Sequence, residues 1–341
     1  MKTMNYVLRL VGCLFIFVWS QPAFAAETAA DGYSVSANIP EFQTNTNASY
    51  FDLLLAPKDQ KEISIHLANH SAKAATYLIQ VNNAATNSNG VIDYSQPSFK
   101  KDASAAYELN QLVTPKEQEI TLKGGEDKEV AFQVKMPATS FKGIVLGGIH
   151  VEKEEDQTKK VDGTGIRNKY AYVIGIKLQN SFDQVSPDLK LLSIEPGLQN
   201  SYTTIFAQLQ NPTAGIINQL DIKAEITKKG QQEVLYSAEN AAASMAPNTN
   251  FKFPVDLNKQ QLKAGSYTLS MDAVQKDTGK KWHLTKDFTI KAAAVKKINK
   301  EAVIEKQPLD YLPYILAIGG VLIAVILVLT YKLIKQQNKG R

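Results

Sequence analysis

The sequence predicts an all-β protein with two tandem immunoglobulin-like β-sandwich domains, followed by a single C-terminal transmembrane helix. Apolar and polar residues alternate in many short segments, which is the period of half-buried strands. Clusters of Gly, Asn, Asp and Ser separate these segments, and little of the chain shows helical periodicity. About seven such strands over about 120 residues are typical of an immunoglobulin-like sandwich. A length of 341 residues allows two or three domains of this size.

The first sandwich is predicted over residues 26–152. Its strands are clearest at residues 62–67, 77–82 and 130–134, where the side chains alternate between apolar and polar. Residues 143–151 are predicted to be its closing strand. The charged segment 153–165 follows, and its composition cannot pack a core, so it is either a linker or an exposed hairpin tip.

The second sandwich is predicted over residues 166–291, and its first strand is expected at residues 170–176. Further alternating segments follow at residues 204–209, 220–226 and 267–271. Residues 292–311 carry several Lys and Glu side chains and are predicted to form a polar stalk.

Both ends of the chain have the pattern of export signals. Residues 1–25 combine Lys2 and Arg9, an apolar stretch and an A-x-A site ending at Ala25, which is the pattern of a secretory signal peptide. A lipoprotein signal ending at Cys13 is the alternative. Residues 312–331 lack any charge over 20 positions, about the 30 Å of a bilayer core, and are predicted to be a transmembrane helix.

The basic tail, residues 332–341, then predicts the orientation. It carries four cations and no acid, so the positive-inside rule places it in the cytoplasm. We expect a single-pass type I protein in the cell membrane, whose N-terminal domains are extracellular and lie within the cell wall or face it.

Charge and cysteine content exclude several classes of function. Six of the 38 Lys and Arg residues lie in the two terminal segments, which leaves 32 against 33 acids in residues 26–311. A nearly neutral body is not expected to bind nucleic acid. The one cysteine, Cys13, lies in the signal peptide, so the exported body has no disulfide or thiol nucleophile.

Catalytic and metal-binding motifs are not apparent, so we predict a protein that is not an enzyme and uses no cofactor. The chain has no H-E-x-x-H, no G-x-S-x-G and no phosphate-binding loop. His66 and His70 are close in sequence, but no third ligand has a suggestive spacing, and no metal site is predicted.

Polar and aromatic loop residues are the candidate binding residues. Asn, Asp and Tyr side chains can bind a glycan through hydrogen bonds and stacking, although the same residues also build turns. The glycan-binding candidates are Asn82, Asn83, Asn87, Asn89, Asp93 and Tyr94. The partner-binding candidates in the second domain are Asn248, Asn250, Lys281 and Trp282.

Eight short motifs, taken in order, resemble the WxL-interacting proteins of Gram-positive bacteria. Those of the first domain are Tyr33-Ser34-Val35-Ser36, Tyr50-Phe51-Asp52-Leu53, Asn89-Gly90-Val91-Ile92-Asp93-Tyr94 and residues 143–149. Those of the second are residues 168–175, Leu209-Gln210-Asn211-Pro212, residues 245–251 and Gly279-Lys280-Lys281-Trp282. With the signal peptide and the C-terminal helix, the resemblance covers essentially the whole chain.

The resemblance implies a function in the cell wall. It implies that the first domain binds peptidoglycan, that the second binds host matrix proteins, and that the chain works with surface proteins that carry WxL domains. Two sandwiches of about 40 Å and an extended stalk reach about 150 Å, which favours a role inside the wall. The sequence therefore predicts a membrane-anchored scaffold or adhesion protein.

Two hypotheses from other classes stay open. One is a transmembrane sensor of wall state, which would need a membrane partner because the ten-residue tail is too short for a signalling domain. The other is a wall hydrolase built on a carboxylate pair, which sequence alone cannot single out.

Overall fold

The computed structural model describes residues 32–97, 99, 102–154, 170–304 and 312–337, and for the last segment it describes the side chains of residues 317–330 only. Strands form the body of the molecule, and helices are few. The predicted all-β class is confirmed, whereas the immunoglobulin-like topology stays a prediction.

The first sandwich packs two sheets and a short helix around one core. Its described elements are β1 (Tyr33–Asn38), β2 (Phe51–Leu54), β3 (Gln60–Asn69), β4 (Ala75–Asn83), β5 (Ala85–Thr86), β6 (Ile92–Asp93), α1 (Leu109–Leu112), β7 (Val113–Thr114), β8 (Glu117–Leu122), β9 (Asp127–Lys135), β10 (Val145–Lys153) and β11 (Ala171–Gln179). One sheet has the order β1-β3-β9-β7, and the other has the order β2-β11-β10-β4-β8. Strands β5 and β6 form a separate hairpin that carries part of the predicted glycan-binding segment.

The second sandwich also packs two sheets. Its described elements are β12 (Lys190–Gln199), β13 (Tyr202–Asn211), β14 (Ile217–Lys228), β15 (Val234–Met245), β16 (Thr249–Asp256), β17 (Gly265–Gln275), β18 (Lys280–Ile290) and α2 (Ala292–Glu301). The sheet orders are β12-β13-β16 and β15-β14-β17-β18. The last helix, α3, covers Leu312–Gln337.

Alternation along the strands decides which side chains form the cores. In β3, Ile63, Ile65 and Leu67 are all buried, because every second residue of a strand points to the same face of the sheet. Burying each such side chain stabilises the fold by roughly 1.5–3 kcal/mol. The two cores are separate, one for each sandwich, and neither contains any of the α3 side chains that the structure describes, residues 317–330.

Strand β11 contradicts the predicted start of the second domain at residue 166. It pairs antiparallel with β10 and parallel with β2, both in the first sandwich. Its inward side chains, Ile174, Ile176 and Leu178, belong to the first core. An alternating pattern predicts a strand but not the sheet that the strand joins. Because β10 and β11 are antiparallel neighbours, the charged segment lies in the connection between two strands of one sheet. Residues 155–169 of this connection lie outside the described residues.

Helix α2 contradicts the prediction of an extended stalk over residues 292–311. Val295 and Ile298 lie on one face of this helix and pack against the second core. The Asn299 amide donates to the Leu262 carbonyl and accepts from the Leu262 backbone N–H, each at 2.9 Å. Residues 292–301 therefore belong to the second sandwich, while residues 305–311 lie outside the described residues.

The ends of the chain are described only in part. The predicted signal peptide, residues 1–25, lies outside the described residues. Helix α3 spans the predicted transmembrane segment and continues to Gln337, within the predicted tail. Within the described residues, no helix is found that is both long enough and apolar enough to cross a membrane.

Candidate functional site

The outer face of the sheet containing β10 and β11 carries two paired glycines. Gly148 of β10 lies directly opposite Gly175 of β11, and both face away from the core because Ile149 and Ile174 face into it. A Cβ atom on Gly148 would lie 3.4 Å from the Tyr94 Cβ, and one on Gly175 would lie 3.6 Å from the Tyr50 Cβ. The absence of two side chains lets both tyrosines approach the backbone of the sheet.

A groove of about 650 Å³ opens above these strands. Tyr50 and Tyr94 line it, and Tyr50 is 40% exposed. Ser36 and Ser49 contribute hydroxyl groups, and Asn218 contributes an amide from the second sandwich. Its volume falls in the range of small-molecule sites, which combine apolar walls with a few polar groups.

The groove carries no net charge from its ionisable side chains. The Lys177 ammonium lies 3.2 Å from the Asp52 carboxylate, and both side chains are largely buried, so the two charges compensate each other. Burial raises the pKa of the Tyr94 phenol, and the nearby Tyr50 phenol raises it further. Tyr94 is therefore neutral at physiological pH and can donate or accept a hydrogen bond.

Asp93 and His150 lie beside the groove. Partial burial raises the pKa of Asp93, but hydrogen bonds from Ser95 and Gln96 and the charge of His150 outweigh it and lower that pKa. Burial lowers the pKa of His150, against the opposing charges of Glu152 and Asp93. The His150 ring is only 6% exposed, and its Nδ1 has no hydrogen-bond partner.

Two of the predicted glycan-binding residues, Asn82 and Asn83, hold the loops around the groove in place. The buried Asn82 amide donates to the Tyr94 backbone carbonyl at 2.8 Å, which holds the backbone of the tyrosine in place. The Asn83 side-chain oxygen accepts from the Asn110 N–H at 3.1 Å. The side-chain groups of this pair thus bind the protein's own backbone.

The β5–β6 turn accounts for two further predicted residues. The Asn87 side-chain oxygen accepts from the N–H groups of Asn89 and Val91, which is the local turn chemistry of asparagine. The Asn89 carbonyl accepts from the Asn240 amide of the second sandwich at 2.9 Å. Of the six glycan-binding candidates, Tyr94 is the one that lines the groove, and Asp93 lies next to it.

The predicted partner-binding residues Asn248 and Asn250 lie at the junction of the two sandwiches. The Asn250 amide donates to the Asp102 carboxylate at 2.7 Å, and Gln210 donates to the same carboxylate at 2.9 Å. The Asn248 amide donates to the Ser104 carbonyl and hydroxyl at 3.1 Å. Both amides are thus used within the chain and join its two sandwiches, and a partner-binding role for these two residues stays a prediction.

Trp282 and Lys281 have different environments on β18. The Trp282 indole is half-buried, packs against the second core and donates to the Asp188 carboxylate at 3.0 Å. The Lys280 ammonium lies 5.2 Å from the centre of the same indole ring. Lys281 is exposed. The indole is thus held by its own sandwich, and a partner-binding role for Lys281 stays a prediction.

Metal binding has no support in the described part of the chain. No three His, Cys, Asp or Glu side chains there lie close enough together to hold a metal ion. His66 faces Asp127 at 3.7 Å and His70 contacts the Ser34 hydroxyl at 2.7 Å, so each imidazole has its own neighbour.

Sequence reasoning missed Tyr50, Gly148 and Gly175 as site residues. A glycine inside a strand often marks a close approach of other groups to the backbone, and this signal is present at both positions. What the sequence could not show is that the two glycines face each other.

Comparison with protein families assigns both domains. Residues 33–153 match the peptidoglycan binding domain of the WxL Interacting Protein, and residues 161–300 match its host binding domain. The chain belongs to the WxL Interacting Protein family. The predicted family and the predicted order of its domains are confirmed.

The family domains do not coincide with the two sandwiches. Strand β11 falls within the match to the host binding domain, although it completes the sheet of the first sandwich. The groove is therefore shared: Tyr50 and Tyr94 belong to the peptidoglycan binding domain, whereas Gly175 and Asn218 belong to the host binding domain.

No curated protein matches the chain. Among solved structures, the chain is similar to a PapD-like domain of human CEP192, with 13% identity, 45% of this chain and 87% of that chain covered, and a TM-score of 0.27. It is also similar to the CupB2 chaperone of Pseudomonas aeruginosa, with 12% identity, 70% and 97% covered, and a TM-score of 0.25.

Proposed function

We infer that this family member is a membrane-anchored scaffold of the cell surface. It binds peptidoglycan through the first sandwich, and through the second it binds a WxL-domain protein, a host matrix protein or both. The family assignment of two binding domains carries this proposal. The neutral groove on the first sandwich supports it, because the groove offers a site of suitable size for a neutral ligand.

Anchoring is supported by the C-terminal sequence and by exposed apolar side chains. Residues 312–331 carry no charge, and a purely basic tail follows them. Ile318, Val321 and Leu327 of α3 are each more than 60% exposed, and neither core includes them. Contiguous exposed apolar surface of this kind marks a site of contact with a protein or a membrane.

A scaffold needs a fixed geometry, and the junction between the sandwiches supplies one. Backbone hydrogen bonds cross it from Ile144 N–H to the Ala214 carbonyl at 2.8 Å and from Ser244 N–H to the Gly90 carbonyl at 2.6 Å. The buried Asp102 carboxylate adds side-chain contacts at the same junction. Ligands held by the two sandwiches would keep a defined spacing.

We propose that the protein binds the wall without catalysing a reaction on it. A wall hydrolase would release soluble fragments from sacculi, and we expect this protein to release no such fragments. The test is co-sedimentation of residues 26–304, which contain both cores, with purified peptidoglycan sacculi, and with a WxL-domain protein in a parallel tube.

We expect the two-sandwich protein to pellet with sacculi and to retain the WxL-domain protein. A Lys281→Ala variant, altered at an exposed position of the second sandwich, should pellet with sacculi as the wild type does. A protein that stays in the supernatant with sacculi would overturn the peptidoglycan assignment.

A further inference from the structure

We propose that the groove between Tyr50 and Tyr94 binds the sugar backbone of peptidoglycan, with a pyranose ring held against the tyrosines beside Gly175. The inference rests on the proposed peptidoglycan binding and adds where the ligand lies and which part of it is recognised. The occupant is the N-acetylhexosamine strand, not the stem peptide.

The shape of the groove suits a flat ring. Tyr94 covers Gly148, so of the glycine pair it is Gly175 that lines the groove. Gly175 leaves the sheet surface there without a side chain, and Tyr50 lies beside it. An aromatic side chain offers a large apolar face together with a polar hydroxyl. A pyranose ring has the matching character, with apolar C–H groups on its faces and hydroxyl groups around its rim.

Charge distinguishes the sugar from the peptide. A stem peptide carries carboxylates and amines, which would need ionic partners when they leave water. The cation of the groove, Lys177, is already paired with Asp52, and the Tyr94 phenol is neutral. A neutral N-acetylhexosamine loses no charge hydration here, whereas a charged peptide would lose some without compensation.

Polar groups are available for the ring substituents. Ser36 and Ser49 line the groove with hydroxyl groups, and Asn218 offers an amide from the second sandwich. The Asn82 amide holds the Tyr94 backbone at 2.8 Å, so Tyr94 is positioned before a ligand arrives. A site whose side chains are ordered before binding loses less conformational entropy when the ligand binds.

The test measures the binding of residues 26–304 to three probes: intact sacculi, stripped glycan strands, and free stem peptide. The stripped strands have lost their stem peptides to an amidase, and each lactyl carboxylate that this exposes is converted to a primary amide so that the strands are neutral. We expect binding to sacculi and to stripped strands but not to free stem peptide. Tyr50→Ala and Tyr94→Ala should each weaken binding to stripped strands about tenfold.

Two further variants make the test specific to the groove. Gly175→Leu should abolish binding, because its side chain would fill the groove beside Tyr50. Phe42→Ala removes an exposed aromatic ring of the same sandwich outside the groove and should bind as the wild type does.

The outcomes separate the two proposals. If the wild type fails to bind intact sacculi, both the proposed function and the inference are overturned. If the wild type binds sacculi but the tyrosine variants, shown to be folded by circular dichroism, bind stripped strands unchanged, the inference alone is overturned. Binding to free stem peptide instead of stripped strands would also overturn it.

Discussion

The hydroxyl groups of Thr86 and Thr249 lie 2.7 Å apart and join the two sandwiches across 163 positions of the sequence. Both side chains are buried. Thr249 also donates to the Ala246 carbonyl at 2.8 Å, which uses its one proton, so Thr86 is the donor in the pair. The Ala246 N–H in turn donates to the Thr86 oxygen at 3.1 Å.

Thr86→Val should therefore lower the stability of the protein by about 1–3 kcal/mol, because the buried Ala246 N–H and the Thr249 oxygen lose their partner. Urea unfolding measures this difference. Thr76→Val is the matched control: Thr76 and Thr121 share an exposed hydroxyl contact at 2.9 Å, and water can replace it. Equal losses in the two variants would contradict the structural role of the junction pair.

Asp102→Ala should loosen the contact between the sandwiches. The carboxylate accepts from Gln210, Asn250 and Ser104, and all of these donors lose a charged acceptor. We expect a loss of about 2–4 kcal/mol in the free energy of unfolding and faster proteolysis between the domains. Asp183→Ala, at an exposed position between the domains, should leave both measurements unchanged.

The same carboxylate predicts a loss of stability in acid. Burial raises the pKa of Asp102, but hydrogen bonds from Ser104, Gln210 and Asn250 outweigh it and lower that pKa. The contribution to stability is therefore present above the unfolded pKa of about 3.9 and is lost as the pH falls through the folded pKa. The slope of unfolding free energy against pH below 5 should be smaller in Asp102→Asn than in the wild type.

His150 predicts a second pH effect at milder pH. Its folded pKa lies below the ordinary value of 6.5, mainly because of burial, so the unfolded chain binds a proton first as the pH falls. The stabilising contribution is present above pH 6.5 and is lost below it. Calorimetry between pH 7.5 and 5 should show a smaller drop in Tm for His150→Gln than for the wild type.

Substitution of Gly143 tests whether the two sandwiches are in close contact at this position. It has a φ of +84°, and a Cβ there would overlap the Ala214 carbonyl of the second sandwich. Gly125 has a similar φ of +74° with open space around it. Both Gly→Ala variants incur backbone strain of about 1–2 kcal/mol. Gly143→Ala should be clearly less stable in urea than Gly125→Ala, and equal stabilities would argue against the close contact.

Trp282→Ala should cost about 2 kcal/mol of stability, because it removes a half-buried ring and the hydrogen bond to Asp188. Lys281→Ala, one residue earlier and exposed, should change stability by less than about 0.5 kcal/mol. Thermal unfolding of the two variants measures the difference in stability. If Trp282→Ala left the stability unchanged, a partner-binding role for the tryptophan would be favoured over a packing role.

Part of the candidate site was visible in the sequence. Tyr94 was predicted from its polar, aromatic loop, and it lines the groove. Asn82 was predicted as a ligand-binding residue, but its buried amide supports the Tyr94 backbone. The sequence shows which residue types can bind a sugar, whereas the fold decides which of them remain accessible.

The all-β class, the inward-facing residues of strands such as β3, and the apolar stretch near the C-terminus could be predicted, because these depend on patterns within a few neighbouring residues. That β11 completes the first sheet, that Gly148 lies opposite Gly175, and that Thr86 contacts Thr249 is seen only in the folded chain. Each of these depends on contacts between residues far apart along the chain. A local period carries no information about such partners, so the groove exists only once the sheets have formed.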